Sequence, residues 1–121
     1  MKGEQIKTIL VPEHKDNWHL IETEKAIYEL RLGGYRPTTK TIEYKFYRNV
    51  SNIQADEKIA AVYTDDEWLY IKLSSGDFLV YGQGGIDSDG KLFFTMRRFS
   101  GADFFENYGF NFLQESDIQE I

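Results

Sequence analysis

Residues 58–81 read KIAAVYTDDEWLYIKLSSGDFLVY, and their alternation decides the fold. In 68–73, Leu69, Ile71 and Leu73 fall on one side of an extended chain and Trp68, Tyr70 and Lys72 on the other, the period of two that a strand needs between core and solvent. The runs 58–63, 68–73, 78–81 and 91–97 are all rich in Val, Ile, Tyr, Phe and Trp. Thr64-Asp65-Asp66-Glu67, Ser74-Ser75-Gly76-Asp77 and the glycine-rich 82–90 stretch separate them as turns or loops. Four consecutive antiparallel strands are therefore expected over 58–98. Leu69, Ile71, Leu73, Leu92, Phe94 and Phe104 are expected in the core.

Upstream the reading is less direct. Glu, Lys, Ala and Leu in 20–32 favour a helix that Gly33 could cap. Ala26, Tyr28, Leu30 and Leu32, however, alternate with Lys25, Ile27, Glu29 and Arg31, which fits a strand better than the helical stripe does. Ile42, Tyr44 and Phe46 alternate in the same way with Glu43, Lys45 and Tyr47, so 26–32 and 41–48 are expected to pair as a hairpin around 33–37. Strands at 6–11 and 18–21 bring the total to about eight. Downstream, Ser100 with Asp103 three residues on, followed by Gly109, predicts a short helix over 101–108 whose inner face carries Phe104 and Tyr108. Residues 115–121 are expected to add a helical turn or to fray. The sum is a single β-rich α+β domain over 1–121: a curled antiparallel sheet or small barrel of about eight strands with one short C-terminal helix.

The 121 residues fall in the single-domain range and can bury one core without staples. With no cysteine, the chain has no disulfide, thiolate zinc site or Cys nucleophile. The apolar run Ile9-Leu10-Val11 stops at Pro12, too short for a signal-peptide core, and no stretch approaches the ~20 apolar residues of a membrane helix. A cytoplasmic location is the expectation.

Several groups resemble chemistry without completing it. His14, Asp16 and His19 could serve as zinc or acid–base residues, but a five-residue step between the imidazoles suits neither a helix face nor a strand face. Asp87-Ser88-Asp89-Gly90 opens like a calcium loop, yet Phe93 and Phe94 stand where later ligands belong, so a hairpin turn is expected. Gly82-Gln83-Gly84-Gly85 lacks the Lys-Ser/Thr ending and helix of a phosphate loop and reads as an inter-strand loop, whose length would also suit insertion into a partner's cleft. Tyr44, Phe46 and Tyr47 interleave with Lys40, Lys45 and Arg48, as in single-stranded nucleic-acid platforms, but alternation turns Tyr44 and Phe46 toward the core and leaves mostly charge outside.

Charge carries the functional expectation. Residues 1–50 hold nine Lys/Arg against seven Asp/Glu, whereas 51–121 hold five against thirteen, within a net charge of −6. A half this acidic would repel a phosphate backbone, so nucleic acid is not the expected partner, nor is a membrane. It suits a basic protein instead. No catalytic residue, cofactor or metal is expected. The expected surface comprises Asp65, Asp66, Glu67, Trp68, Asp87, Asp89, Asp103, Phe105, Glu106 and Tyr108, with Trp68, Phe105 and Tyr108 as anchors, gathered mostly along one end of the sheet. The expected function is an inhibitor or immunity protein that blocks the cleft of a basic toxin or nuclease. The alternative is a small-molecule-binding barrel whose interior is lined by Tyr28, Tyr44, Phe46, Tyr70 and Phe94.

Overall fold

The computed structural model describes residues 1–14, 17–50, 56–65, 67–109 and 118–121. The stretch that decided the reading folds as its alternation requires. Strands β6 (Ile59–Thr64), β7 (Leu69–Leu73), β8 (Phe78–Ile86) and β9 (Leu92–Phe99) form consecutive antiparallel pairs. A two-residue strand, β10 (Gln119–Glu120), completes this sheet beside β6 in the order β10-β6-β7-β8-β9. Residues 119–120 therefore pair rather than forming the helical turn or fraying end expected over 115–121; residues 115–117 lie outside the described residues.

A second five-stranded antiparallel sheet, ordered β4-β3-β2-β1-β5, contains β1 (Ile6–Pro12), β2 (Leu20–Thr23), β3 (Ile27–Arg31), β4 (Gly34–Pro37) and β5 (Tyr47–Val50). The architecture is thus two antiparallel sheets, not a curled sheet or closed barrel of about eight strands. The reason is a change of sheet between β5 and β6, which lets two apolar faces meet instead of wrapping one sheet into a cylinder. The expected hairpin of 26–32 with 41–48 is also replaced. Arg31 pairs with Gly34 across a tight turn in which Gly33 adopts a φ of 70°, while Tyr44–Phe46 forms a single 3-10 turn and β5 pairs with β1.

Between the sheets lies the main core. One side contributes Ile6, Ile9, Ile21, Tyr28 and Leu30, the other Ile59, Val62, Leu69, Ile71, Leu73, Leu79 and Tyr81. Tyr70 and Val80 point the other way, to a second cluster under α1 (Gly101–Phe104) and the wider π turn (Phe105–Gly109) that continues it. The capping expectation holds, since Ser100 Oγ accepts from the Asp103 N–H at 3.2 Å. Phe104 stacks on Phe78 with centroids 3.8 Å apart, and Tyr108 stacks on Phe104 at 5.3 Å, so the two residues share the inner face as their spacing predicts. Of the six expected core residues, Leu69, Ile71, Leu73 and Phe104 are buried and Phe94 is half-buried against the core. Leu92 is 50% exposed. It leaves the core because it pairs with Ile86 on the part of β9 that outruns β7.

Candidate protein-binding surface

β8 is longer than its inner neighbour, and the difference builds the surface. The last β7–β8 pair is Leu69 with Tyr81, whereas β8 and β9 stay paired as far as Ile86 with Leu92. The glycine-rich 82–86 segment is therefore strand, not the expected loop, with a bulge between Gln83 and Gly85 increasing its twist. A two-stranded ribbon projects from the sheet. At its tip Asp87 Oδ1 accepts the N–H groups of Asp89 (2.8 Å) and Lys91 (3.0 Å), and Gly90 takes a φ of 77°: the hairpin turn expected of Asp87–Gly90. Ile86 and Leu92, paired across the strands, are 68% and 50% exposed. Phe94 anchors the root, stacked on Tyr81 at 5.7 Å and tilted against Trp18 at 5.9 Å.

The acidic turn between β6 and β7 abuts this root. Asp65 is half-buried, its carboxylate accepting the N–H groups of Glu67 (3.2 Å) and Trp68 (2.8 Å) and the Tyr70 hydroxyl (2.9 Å). It fastens the turn, as Asp87 fastens its own, so its charge serves structure as well as any partner. Glu67 is exposed beside it, and Asp66 lies outside the described residues. Trp68 is half-buried and covers Gly82, where a Cβ would stand 2.2 Å from the indole Cε3. Gly82→Val is therefore expected to displace the indole and cost about 1–3 kcal/mol through overpacking, read as a lower urea midpoint with red-shifted tryptophan emission.

Tyr108 returns to the same place, sharing a hollow of about 210 Å3 with Trp68, Gly84 and Thr95. Thus Asp65, Glu67, Trp68 and Tyr108 gather at the ribbon's root, with Asp87 and Asp89 at its tip. Asp103 does not join them, because it follows Phe99, which pairs with Phe78 at the opposite end of β8. Phe105 (64% exposed) and the exposed Glu106 lie on the π turn that leads back from Asp103 to Tyr108. Glu57 and Asp77, also at the far end, are both bridged by Arg98. The apolar pair Ile86/Leu92 escaped the sequence reading, which treated 82–90 as a loop and Leu92 as core.

The other site-like groups resolve into structure. His19 is buried with its ring 5.2 Å from Tyr81; burial and the Arg48 charge lower its pKa to about 4, so it is neutral at pH 7. His14 is exposed, 6.0 Å from the Phe46 ring, and Asp16 lies outside the described residues. Among the described residues no three His, Cys, Asp or Glu side chains converge as metal ligands, and no helix is long and apolar enough to cross a membrane. Phe46 and Tyr47 are half-buried, whereas Tyr44 stays exposed and its hydroxyl donates to Glu22 at 3.2 Å. The rings expected to line a barrel lumen are scattered: Tyr28 in the inter-sheet core, Tyr70 in the cluster under the helix, Tyr44 at the surface. No protein-family model, curated protein or solved structure matches the chain.

Proposed function

We propose that the protein is a non-catalytic inhibitor of the immunity type, acting in the cytoplasm, which inserts the β8–β9 ribbon and the neighbouring acidic turn into the basic cleft of a toxin or nuclease. The observation that carries this reading is the ribbon tip, where the solvent-exposed pair Ile86/Leu92 stands beside Asp87 and Asp89. An apolar pair on a projecting arm is an interface core in waiting, and carboxylates around it select a positively charged partner and steer its approach. Blocking a cleft requires shape, charge and anchors rather than catalytic groups.

The partner is obtained by affinity capture from the native host, and its activity is then titrated with variants. Ile86→Ser with Leu92→Ser should raise the dissociation rate and weaken inhibition at least about tenfold, as expected for interface-core residues. Glu67→Lys with Asp89→Lys should slow association at low salt and lose most of that effect at high salt. Asp65 and Asp87 are left in place because each accepts backbone N–H groups of its own turn. Full inhibition by both double variants, or a partner without a basic cleft, refutes the reading.

A further inference from the structure

The outer face of the other sheet carries a cleft of about 550 Å3, within the size range of small-molecule sites. Leu20, Glu29 and Arg31 form its floor, and Trp18, Ile42 and Phe46 supply apolar wall. The register explains the floor: Tyr28 and Leu30 enter the core, so Glu29 between them and Arg31 after them face outward. There the Glu29 side chain is 9% exposed. Its carboxylate accepts from Arg31 Nη2 at 2.6 Å and Arg36 Nε at 3.2 Å. Burial alone would raise its pKa, but these bonds, led by Arg31, hold it below the ordinary carboxylate value.

Two guanidiniums thus share one carboxylate, Arg31 from within the cleft and the 59% exposed Arg36 from outside its lining, leaving a positive surplus around Glu29. At the rim Lys40 and Glu43 offset each other. Arg31 lies with its guanidinium carbon 4.3 Å over the Trp18 ring, and its Nε is buried without an acceptor among the described residues.

We propose that this cleft binds a small planar aromatic molecule bearing an anionic oxygen group, whose oxygen accepts from Arg31 while its ring lies between Ile42 and Phe46, beside the Arg31–Trp18 stack. The positive surplus at Glu29 and the part of Arg31 that stays exposed, 31% of its side chain, select the anion, and the apolar walls select the ring. The site needs no protein partner and stands independently of the inhibitor reading.

The two tryptophans provide the test, since Trp18 lies in the cleft and Trp68 at the ribbon root. The 15N-labelled chain is titrated with 2-naphthoate, with 2-naphthylmethylammonium and with inorganic phosphate. The naphthoate should shift the Trp18 indole signal saturably and leave that of Trp68 in place, while the ammonium compound and phosphate do neither. Arg31→Gln should weaken naphthoate binding by more than about tenfold, the loss expected for a hydrogen bond to a charged group. Thr41→Phe, which fills the cleft from its exposed rim, should weaken it as well and decides the matter if Arg31→Gln fails to fold. An unmoved Trp18 signal, equal binding of the ammonium compound, phosphate binding as tight as naphthoate, a matching shift at Trp68, or unchanged affinity in the folded variants overturns the proposal.

Discussion

Arg98→Met is expected to destabilise the fold by about 3–5 kcal/mol, the range for removing one partner of a buried charge network. The Arg98 side chain is only 12% exposed. Its Nη1 and Nη2 donate to Glu57 at 2.9 and 2.5 Å, and its Nε and Nη2 donate to Asp77 at 3.0 and 2.7 Å. The bonds to Glu57, and then those to Asp77, raise the Arg98 pKa despite its burial. Methionine replaces the aliphatic stem but leaves the Glu57 carboxylate, 3% exposed, without its cation and with the Ser75 hydroxyl at 2.7 Å as a weak substitute. The deficit should appear in urea denaturation at pH 7, and adding Glu57→Gln with Asp77→Asn should recover part of it, because the uncompensated charge is then gone. A loss below about 1 kcal/mol would mean that water, rather than Arg98, solvates these acids.

The second large effect is acid lability. His19 in the folded chain has a pKa of about 4 against an ordinary value of 6.5, so between those values the unfolded chain binds the extra proton. Stability is therefore complete above pH 6.5 and falls until about pH 4, by about 3 kcal/mol at ~1.4 kcal/mol per pH unit. Glu4 extends the decline. Burial would raise its pKa, but hydrogen bonds from the Tyr28 hydroxyl (2.7 Å), the Thr23 hydroxyl (2.7 Å) and the terminal amine (3.0 Å) bring it to about 2. Its contribution is present above pH 4.5 and is lost toward pH 2. Denaturant midpoints measured from pH 7.5 to 3 should show both phases, and His19→Phe should flatten the first while sparing the second. A wild-type curve level between pH 6.5 and 4.5 would contradict the burial of a neutral imidazole beside Tyr81.

Much of this was legible where neighbours in sequence are neighbours in space. The strands of 58–81, their turns and the Ser100 cap rest on local alternation and local hydrogen bonds, and they fold as expected. The upstream hairpin was misassigned because Ile42, Tyr44 and Phe46 alternate like a strand yet lie in or beside a 3-10 turn over the outer sheet face, and because β5 chooses β1, far away in sequence. Glycine at 82, 84 and 85 signalled a loop. Its physical reason is different: Trp68 lies on Gly82, and the Phe93 ring would stand 2.6 Å from a Cβ at Gly84. The ribbon's exposed pair was hidden for a related reason, since no local pattern says that β8 outruns β7. The cleft escaped too, because Trp18, the β3 pair Glu29 and Arg31, and Phe46 come from three segments that only the fold brings together.

Amide hydrogen exchange of the protein free and bound to its captured partner tests the central claim most directly, because it locates the interface without mutation. Docking of the ribbon predicts slowed exchange over 83–92 and around Glu67 and Trp68, with 27–37 unchanged. Protection confined to 27–47, with the ribbon exchanging as fast as in the free protein, would contradict it.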